Sequence, residues 1–331
     1  MTPEQNFNTL QLRERYNVAA PRYTSYPTVP YWQSTAFNIG EWKISVKRSF
    51  TESNRQEGIS LYIHLPFCER LCTYCGCNKR ITKNHAVEEP YINAVLDEWK
   101  MYKEIMGGIP VIKEIHLGGG TPTFFNHKNL HRLISGITAG SEIHEKAEFS
   151  FEGHPNNTTA DHLQTLYDLG FRRVSLGIQD FDPKVQFIIN RIQSYEQVRL
   201  VTRQARRIGY TSVNYDLIYG LPLQSLQGLT DTMRQVGELM PDRIAFYSYA
   251  HVPWIKPGQR RFTEKDLPGT KQKIELYEAG RELLKSFGYL EIGMDHFALP
   301  GDSLLVAEES GCLHRNFMGY THQHTQLLVG L

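Results

Sequence analysis

From residue 60 onward, short apolar segments alternate with helical ones at intervals of about thirty residues, and this alternation restricts the fold more than any other feature of the chain. The apolar segments are SLYIHL, EIHLGG, AEFSFE, RRVSLGI, SVNYDLIYG and RIAFYSYA. Between them lie stretches such as EEPYINAVLDEWKMYKEI and SYEQVRLVTRQARRIG. The second closes on Gly209, a residue suited to the left-handed position that ends a helix. Strands joined through helices run parallel, because the crossover returns the chain to the same end of the sheet. A further strand-like stretch, YLEIGMDHF, follows a helix around 271–287.

Six such units predict an α/β fold, a partial (β/α)6 TIM-like barrel; a doubly wound sheet is the arrangement that spacing alone leaves open. The polar residues that stand out lie just past the strand ends. They are the cysteines of FCERLCTYCGCNKR at 67–80, GGGTP at 118–122, Glu152, Gln179, Asp216 and Ala250–His251. In a parallel barrel these positions converge on one mouth, the end where active sites form. A net charge of +1 offers no electrostatic footprint for nucleic acid or an anionic membrane. The start, MTPEQNFNTLQLRERYN, carries acids and amides where a signal peptide needs an apolar stretch. Nowhere do the ~18 consecutive apolar residues that span a bilayer occur. A soluble protein of a reducing cytoplasm is expected, where clustered cysteines bind metal or do redox chemistry.

Four of the five cysteines fall within that one loop. Cys68, Cys72 and Cys75 are spaced C-x3-C-x2-C, with Cys77 just beyond. A structural zinc site would want two separated pairs, and Cys312 stands alone. A redox pair can be read from Cys72 and Cys75, but it leaves Cys68 unexplained. Closely spaced thiolates on a short loop suit an iron–sulfur cluster best, and three thiolates on a cubane of four irons leave one iron open. Cys312 reads as an ordinary cysteine, and His322 and His324 in THQHT as a solvated loop rather than a metal pair.

C-x3-C-x2-C directly after the first strand of a βα barrel resembles the signature of the radical S-adenosylmethionine (SAM) enzymes. The resemblance implies a barrel of the radical SAM type and a 4Fe–4S cluster held by Cys68, Cys72 and Cys75. It also implies SAM bound at the open iron and cleaved to a 5′-deoxyadenosyl radical. Within that superfamily the chain resembles the oxygen-independent coproporphyrinogen III oxidases. The strings that carry this are APRYTSYPT at 20–28, YIHLPFC at 62–68, CTYCGCNK at 72–79, HLGGGTPT at 116–123, NYDLIYGLP at 214–222, YAHVP at 249–253 and GMDHFALP at 293–300. They imply oxidative decarboxylation of two propionates of coproporphyrinogen III to vinyls, giving protoporphyrinogen IX in haem biosynthesis.

The same resemblance implies two SAM molecules side by side. Tyr62, Gly119 and Glu152 match the family's contacts to the cluster-bound one. Tyr74, Gly120, Thr121, Gln179, Arg191, Asp216 and Ala250 match contacts to the second. Tyr74 stands where Phe is usual, and Ile192 where Glu is common. Glu152 and Asp216 suit ribose hydroxyls as acceptors, and the Arg191 fork suits a carboxylate. No side chain is assigned a catalytic role except Cys77, which either helps the second SAM or the substrate or is a thiol buried beside the cluster.

An aromatic arm over residues 1–52 is expected to cover the flat tetrapyrrole, with Arg22 pairing a propionate. The barrel is expected over 53–290. A C-terminal domain is expected to begin at 291 and to be cut short, since GYTHQHTQLLVGL stops without a closing element. A flavodoxin-type reductant is the expected electron donor, and the protein is expected to be a monomer. The alternative reading is a haem chaperone relative, which shares the barrel and the cysteine triad but binds haem. That relative lacks the PRYTSYPT arm and carries an aromatic where this chain has Gly76–Cys77.

Overall fold

The computed structural model describes residues 9–18, 20, 31–32, 37–316 and 318–331. The PRYTSYPT motif, with Arg22, lies outside the described residues. Six strands carry the fold: β1 (Ile59–Leu65), β2 (Val111–Gly119), β3 (Glu142–Gly153), β4 (Phe171–Gln179), β5 (Ser212–Tyr219) and β6 (Arg243–Ser248). They pair in chain order, each parallel to the next. A doubly wound sheet would reverse its order at a switch point, so the consecutive order selects the partial barrel. No pairing among the described residues closes it.

Two additions extend the sheet. β7 (Leu290–Gly293) and β8 (His296–Ala298) form an antiparallel hairpin against β6, and β9 (Leu327–Gly330) lies parallel to β1. YLEIGMDHF, which reads as one strand-like stretch, is therefore two strands. Gly293 at φ 148° and Met294 at φ 47° turn the chain between them. The apolar run that ends the chain likewise finds a partner in β1, with Leu61 opposite Val329.

The helices that flank the sheet are α1 (Ile39–Ser53), α2 (Glu88–Met106), α3 (His127–Thr138), α4 (Ala160–Asp168), α5 (Tyr195–Ile208), α6 (Leu226–Leu239) and α7 (Thr270–Ser286), and shorter helices lie at Thr9–Tyr16, Pro183–Ile188 and Ser303–Glu309. Their ends are set locally. Ser194 starts α5 by accepting the Gln197 N–H at 3.1 Å, and Gly209 at φ 115° ends it. Val198, Val201, Thr202 and Ala205 recur at helical spacing and form the face that α5 buries. No helix of the described residues is long and apolar enough to cross a membrane.

The strands present two unlike faces. In β1, Leu61, Ile63 and Leu65 join the core while Ser60, Tyr62 and His64 alternate with them. β2 sets Ile115 and Leu117 against Glu114 and His116, and β3 sets Phe149 and Phe151 against Glu148, Ser150 and Glu152. β4 and β5 repeat the pattern, with Ser175 and Gly177, then Asn214 and Asp216, on the second face. Because side chains alternate along a strand, the apolar set packs on the helices and the polar set lines the other face. Each core side chain stabilises the fold by about 1.5–3 kcal/mol relative to its exposed state. Barrel interiors are ordinarily filled by branched apolar residues; this one is polar, which suits it to holding a ligand.

Candidate active site

The cysteine loop leaves the end of β1 and is tied at both ends. Phe67–Cys68 pairs in parallel with Arg80–Ile81, and the Arg80 N–H donates to the Pro66 carbonyl at 2.8 Å. Its middle is held from outside. Thr73 donates its N–H to the Ile189 carbonyl at 2.9 Å, and Asn190 donates to the Leu71 carbonyl at 2.8 Å. Buried Gln259 donates to the Tyr74 carbonyl at 3.0 Å and the Ala250 carbonyl at 3.2 Å, and accepts the Val252 N–H at 2.6 Å. Loop conformation is thus set by two distant segments, 189–190 and the one that carries Gln259.

Beside the loop, Gly119–Thr121 runs along β1's exit, with the Gly120 N–H donating to the Leu65 carbonyl at 2.9 Å and the Thr121 N–H to the Phe67 carbonyl at 3.0 Å. Glycine is required here by close approach. A Cβ on Gly120 would stand 2.5 Å from the Pro66 carbonyl oxygen, and one on Gly119, at φ 113°, 2.7 Å from the His64 ring. The Thr121 hydroxyl lies 3.3 Å from the Cys68 sulfur.

Across the mouth, the Arg191 Nε donates to the Gly177 carbonyl at 3.1 Å, and Nη1 approaches the Cys72 sulfur at 3.6 Å. Burial opposes the Arg191 charge, but Tyr74 and Cys72 beside it leave its proton affinity raised overall. Burial, and then the neighbouring Glu152, push the Asp216 carboxyl up to about 7, against the pull of the Ser175 hydroxyl and Arg191. Bonding from the Cys77 thiol, with help from Lys79, lowers Cys75 to about 5 despite burial, while the same contact with Cys75 raises Cys77, which is exposed at the cavity and not the buried thiol that one reading of the sequence expects. Cys68 is raised by burial. Burial, Arg191 and Arg70 together push His154 down to about 2, leaving a neutral ring whose Nδ1 accepts the Asn156 N–H at 3.1 Å. Gln179 takes φ 68°, a conformation costly for a side-chain-bearing residue, and Gln193 braces it by donating to the Ile178 carbonyl at 2.6 Å.

These groups enclose a cavity of about 360 Å³ at the C-terminal ends of the parallel strands. Cys68, Cys72, Cys75 and Cys77 line it, as do Tyr74, Gly119, Gly120, Thr121, Glu152, Gln179, Arg191 and Asp216. Tyr62 packs beneath Gly118, where a Cβ would meet its ring at 2.9 Å and the Glu152 Oε1 at 3.3 Å. Ala250 borders a neighbouring cavity, lined also by His251 and Lys273, and Gln259 links it to Tyr74 of the first. His116, Ser175, His154, Lys79 and Gln259 were not singled out from the sequence. The period-two polar pattern of the strands carries the signal for the first two; nothing local marks Gln259.

All five cysteines are free thiols, and the three of the C-x3-C-x2-C motif are half-buried. No three His, Cys, Asp or Glu side chains among the described residues are grouped so as to hold a single metal ion. Three thiols distributed on one loop around a cavity, with a cation and a hydroxyl beside them, fit a polynuclear iron–sulfur group.

Comparisons with known proteins agree on one family. The model of the radical SAM superfamily matches residues 62–236. The oxygen-independent coproporphyrinogen III oxidase of Escherichia coli (strain K12) is 40% identical over 322 residues, covering 97% of this chain and 69% of that protein. The enzyme of the same name from Pseudomonas aeruginosa is 40% identical over 324 residues, again covering 97% and 69%. A solved structure of the Escherichia coli coproporphyrinogen III oxidase (HemN), described as a radical SAM enzyme, superposes with a TM-score of 0.88 at 39% identity, over 93% of this chain and 70% of that one.

Proposed function

Since this chain belongs to the radical SAM superfamily and, within it, to the oxygen-independent coproporphyrinogen III oxidases, we propose that the cavity at the strand ends is where its cluster and SAM meet. The activity is the anaerobic oxidation of coproporphyrinogen III in haem biosynthesis, which uses a 4Fe–4S cluster and SAM. When bound, that pair supplies a 5′-deoxyadenosyl radical, an oxidant able to take a hydrogen atom from a propionate carbon. In this reading each of two propionates gives up a hydrogen atom to that radical, then carbon dioxide and one electron to an external electron acceptor, to leave a vinyl, and an external one-electron reductant of the flavodoxin type serves the cluster.

Cys68, Cys72 and Cys75 would hold the cluster. The Thr121 hydroxyl and the Arg191 guanidinium lie against two of those sulfurs and offset their negative charge. The remaining residues separate into two groups, each centred on a glycine. Around Gly118 stand Tyr62 and Glu152; around Gly177 stand Gln179 and Arg191, each within 2.7 Å of where a Cβ would be. Asp216 is Gly177's partner across the ladder, and Gln259 ties Tyr74 to Ala250. The first group would orient the cluster-bound SAM and the second group another SAM. Polar acceptors facing ribose hydroxyls, and glycines that admit the ligand to the backbone, fix its position and keep water out.

The observation that carries this reading is the meeting of three motif thiols, the Gly119–Thr121 turn and two carboxylates on one cavity. Anaerobic reconstitution tests it. The parent should carry four irons and four sulfides, while Cys68→Ala, Cys72→Ala and Cys75→Ala should each lose most of them and Cys77→Ala should not. Retention of the cluster in any of the first three would defeat the assignment.

A further inference from the structure

Glu152 stands half-exposed at the cavity, and a glutamate side chain there has rotamers to lose when a ligand docks. His116 faces it, with Nε2 3.5 Å from Oε1. The opposite ring nitrogen, Nδ1, is 2.8 Å from the Ser150 hydroxyl, and the ring stacks on Tyr62 at 5.9 Å and 21°. Tyr62, His116 and Ser150 sit at paired positions on three adjacent strands, with His116 opposite both of the others. Register therefore fixes this row before any ligand arrives.

A ring held at one nitrogen by a hydroxyl and on one face by a phenol has its other nitrogen aimed. We infer that His116, held by Ser150, is a positioning residue that orients the Glu152 carboxylate toward SAM. The inference rests on the reading that Glu152 meets SAM. A core histidine satisfied for packing alone would lie among the apolar residues; His116 lies on the polar face beside an acid that a second carboxylate, Asp216, repels. Glycine at 118 leaves the space in which the Tyr62 ring and the Glu152 carboxylate come together.

The test is equilibrium binding of SAM to reconstituted, unreduced holoenzyme, where no turnover occurs, with a melting curve for each variant. His116→Phe keeps the ring and loses both nitrogens; it should weaken SAM binding on the order of tenfold. His116→Gln, whose amide can still donate to Glu152, should stay within about threefold of the parent. In a Glu152→Gln background, His116→Phe should add less than about twofold, because the effect runs through the carboxylate. Should His116→Phe not fold, Ser150→Ala carries the same test, with weaker SAM binding at an unchanged melting point. Parent-like affinity in His116→Phe, equal loss in His116→Gln, or undiminished loss in the Glu152→Gln background overturns the inference. If Glu152→Gln alone leaves SAM affinity unchanged, the placement of SAM at Glu152 falls and the inference with it. If Glu152→Gln weakens SAM and His116→Phe does not, the inference alone falls.

Discussion

Arg191 and Cys72 are 119 residues apart in the chain, yet the guanidinium of one lies 3.6 Å from the sulfur of the other. The guanidinium is anchored to the end of β4 through the Gly177 carbonyl, so a fixed positive charge faces the cysteine loop. A cation at this range favours the more negative, reduced state of a cluster.

Arg191→Gln should therefore make the cluster harder to reduce, by on the order of 100–200 mV for one charge at an effective dielectric near 20. Iron content should stay near the parent's. A redox titration followed by electron paramagnetic resonance reads the shift, and an unchanged midpoint potential would count against the contact.

Gly120→Ala forces a Cβ to 2.5 Å from the Pro66 carbonyl oxygen, a backbone atom that cannot swing aside. The expected cost is about 1–3 kcal/mol, with reduced iron incorporation because the cysteine loop shifts. Gly330→Ala, which meets nothing within 4 Å, is the control and should be near neutral. Chemical denaturation compares the two; equal stability would contradict the crowding.

Gln259→Leu leaves the Val252 N–H and the Tyr74 and Ala250 carbonyls without the partner they share. Loss of a buried amide of this kind costs about 1–3 kcal/mol. The variant should also bind SAM more weakly, since Tyr74 is no longer tied to the segment after β6. A melting point within error of the parent's would show that the three groups find other partners.

His162 caps α4 through Thr159, and its Nε2 donates to the Phe125 carbonyl at 2.9 Å. Burial, opposed by that bond, holds its pKa below the ordinary 6.5. The unfolded chain takes a proton at about the ordinary value while the folded chain resists it, so this contribution is complete above pH 6.5 and is lost as pH falls below it. His162→Gln should flatten the acid-side decline in unfolding free energy by up to about 1.4 kcal/mol per pH unit. Parallel pH profiles for parent and variant would show that the ring is not protected.

The cysteine motif and the strand positions are legible in the chain because they depend on neighbours close in sequence. SLYIHL, AEFSFE and RRVSLGI are strands in the structure within a few residues of their apolar runs, and Gly209 ends its helix at φ 115°. The turn inside YLEIGMDHF is less legible: its bend uses a methionine at positive φ, a residue no turn rule anticipates there. Ala250 sits where the strand-end rule puts it, but the cavity it borders is decided by how 249–261 folds back.

What the sequence by itself determined is which segments become strands and helices, and that three thiols share one short loop, since hydrophobic period, caps and spacing act over a few residues. Only the tertiary structure decided that Arg191 faces Cys72, that Gln259 joins Tyr74 to Ala250, and that His116 sits between Ser150 and Glu152. Those meetings come from strand register and from loops packed across the mouth. Register is settled when whole faces of the sheet are buried together, and no local stretch of residues contains that information.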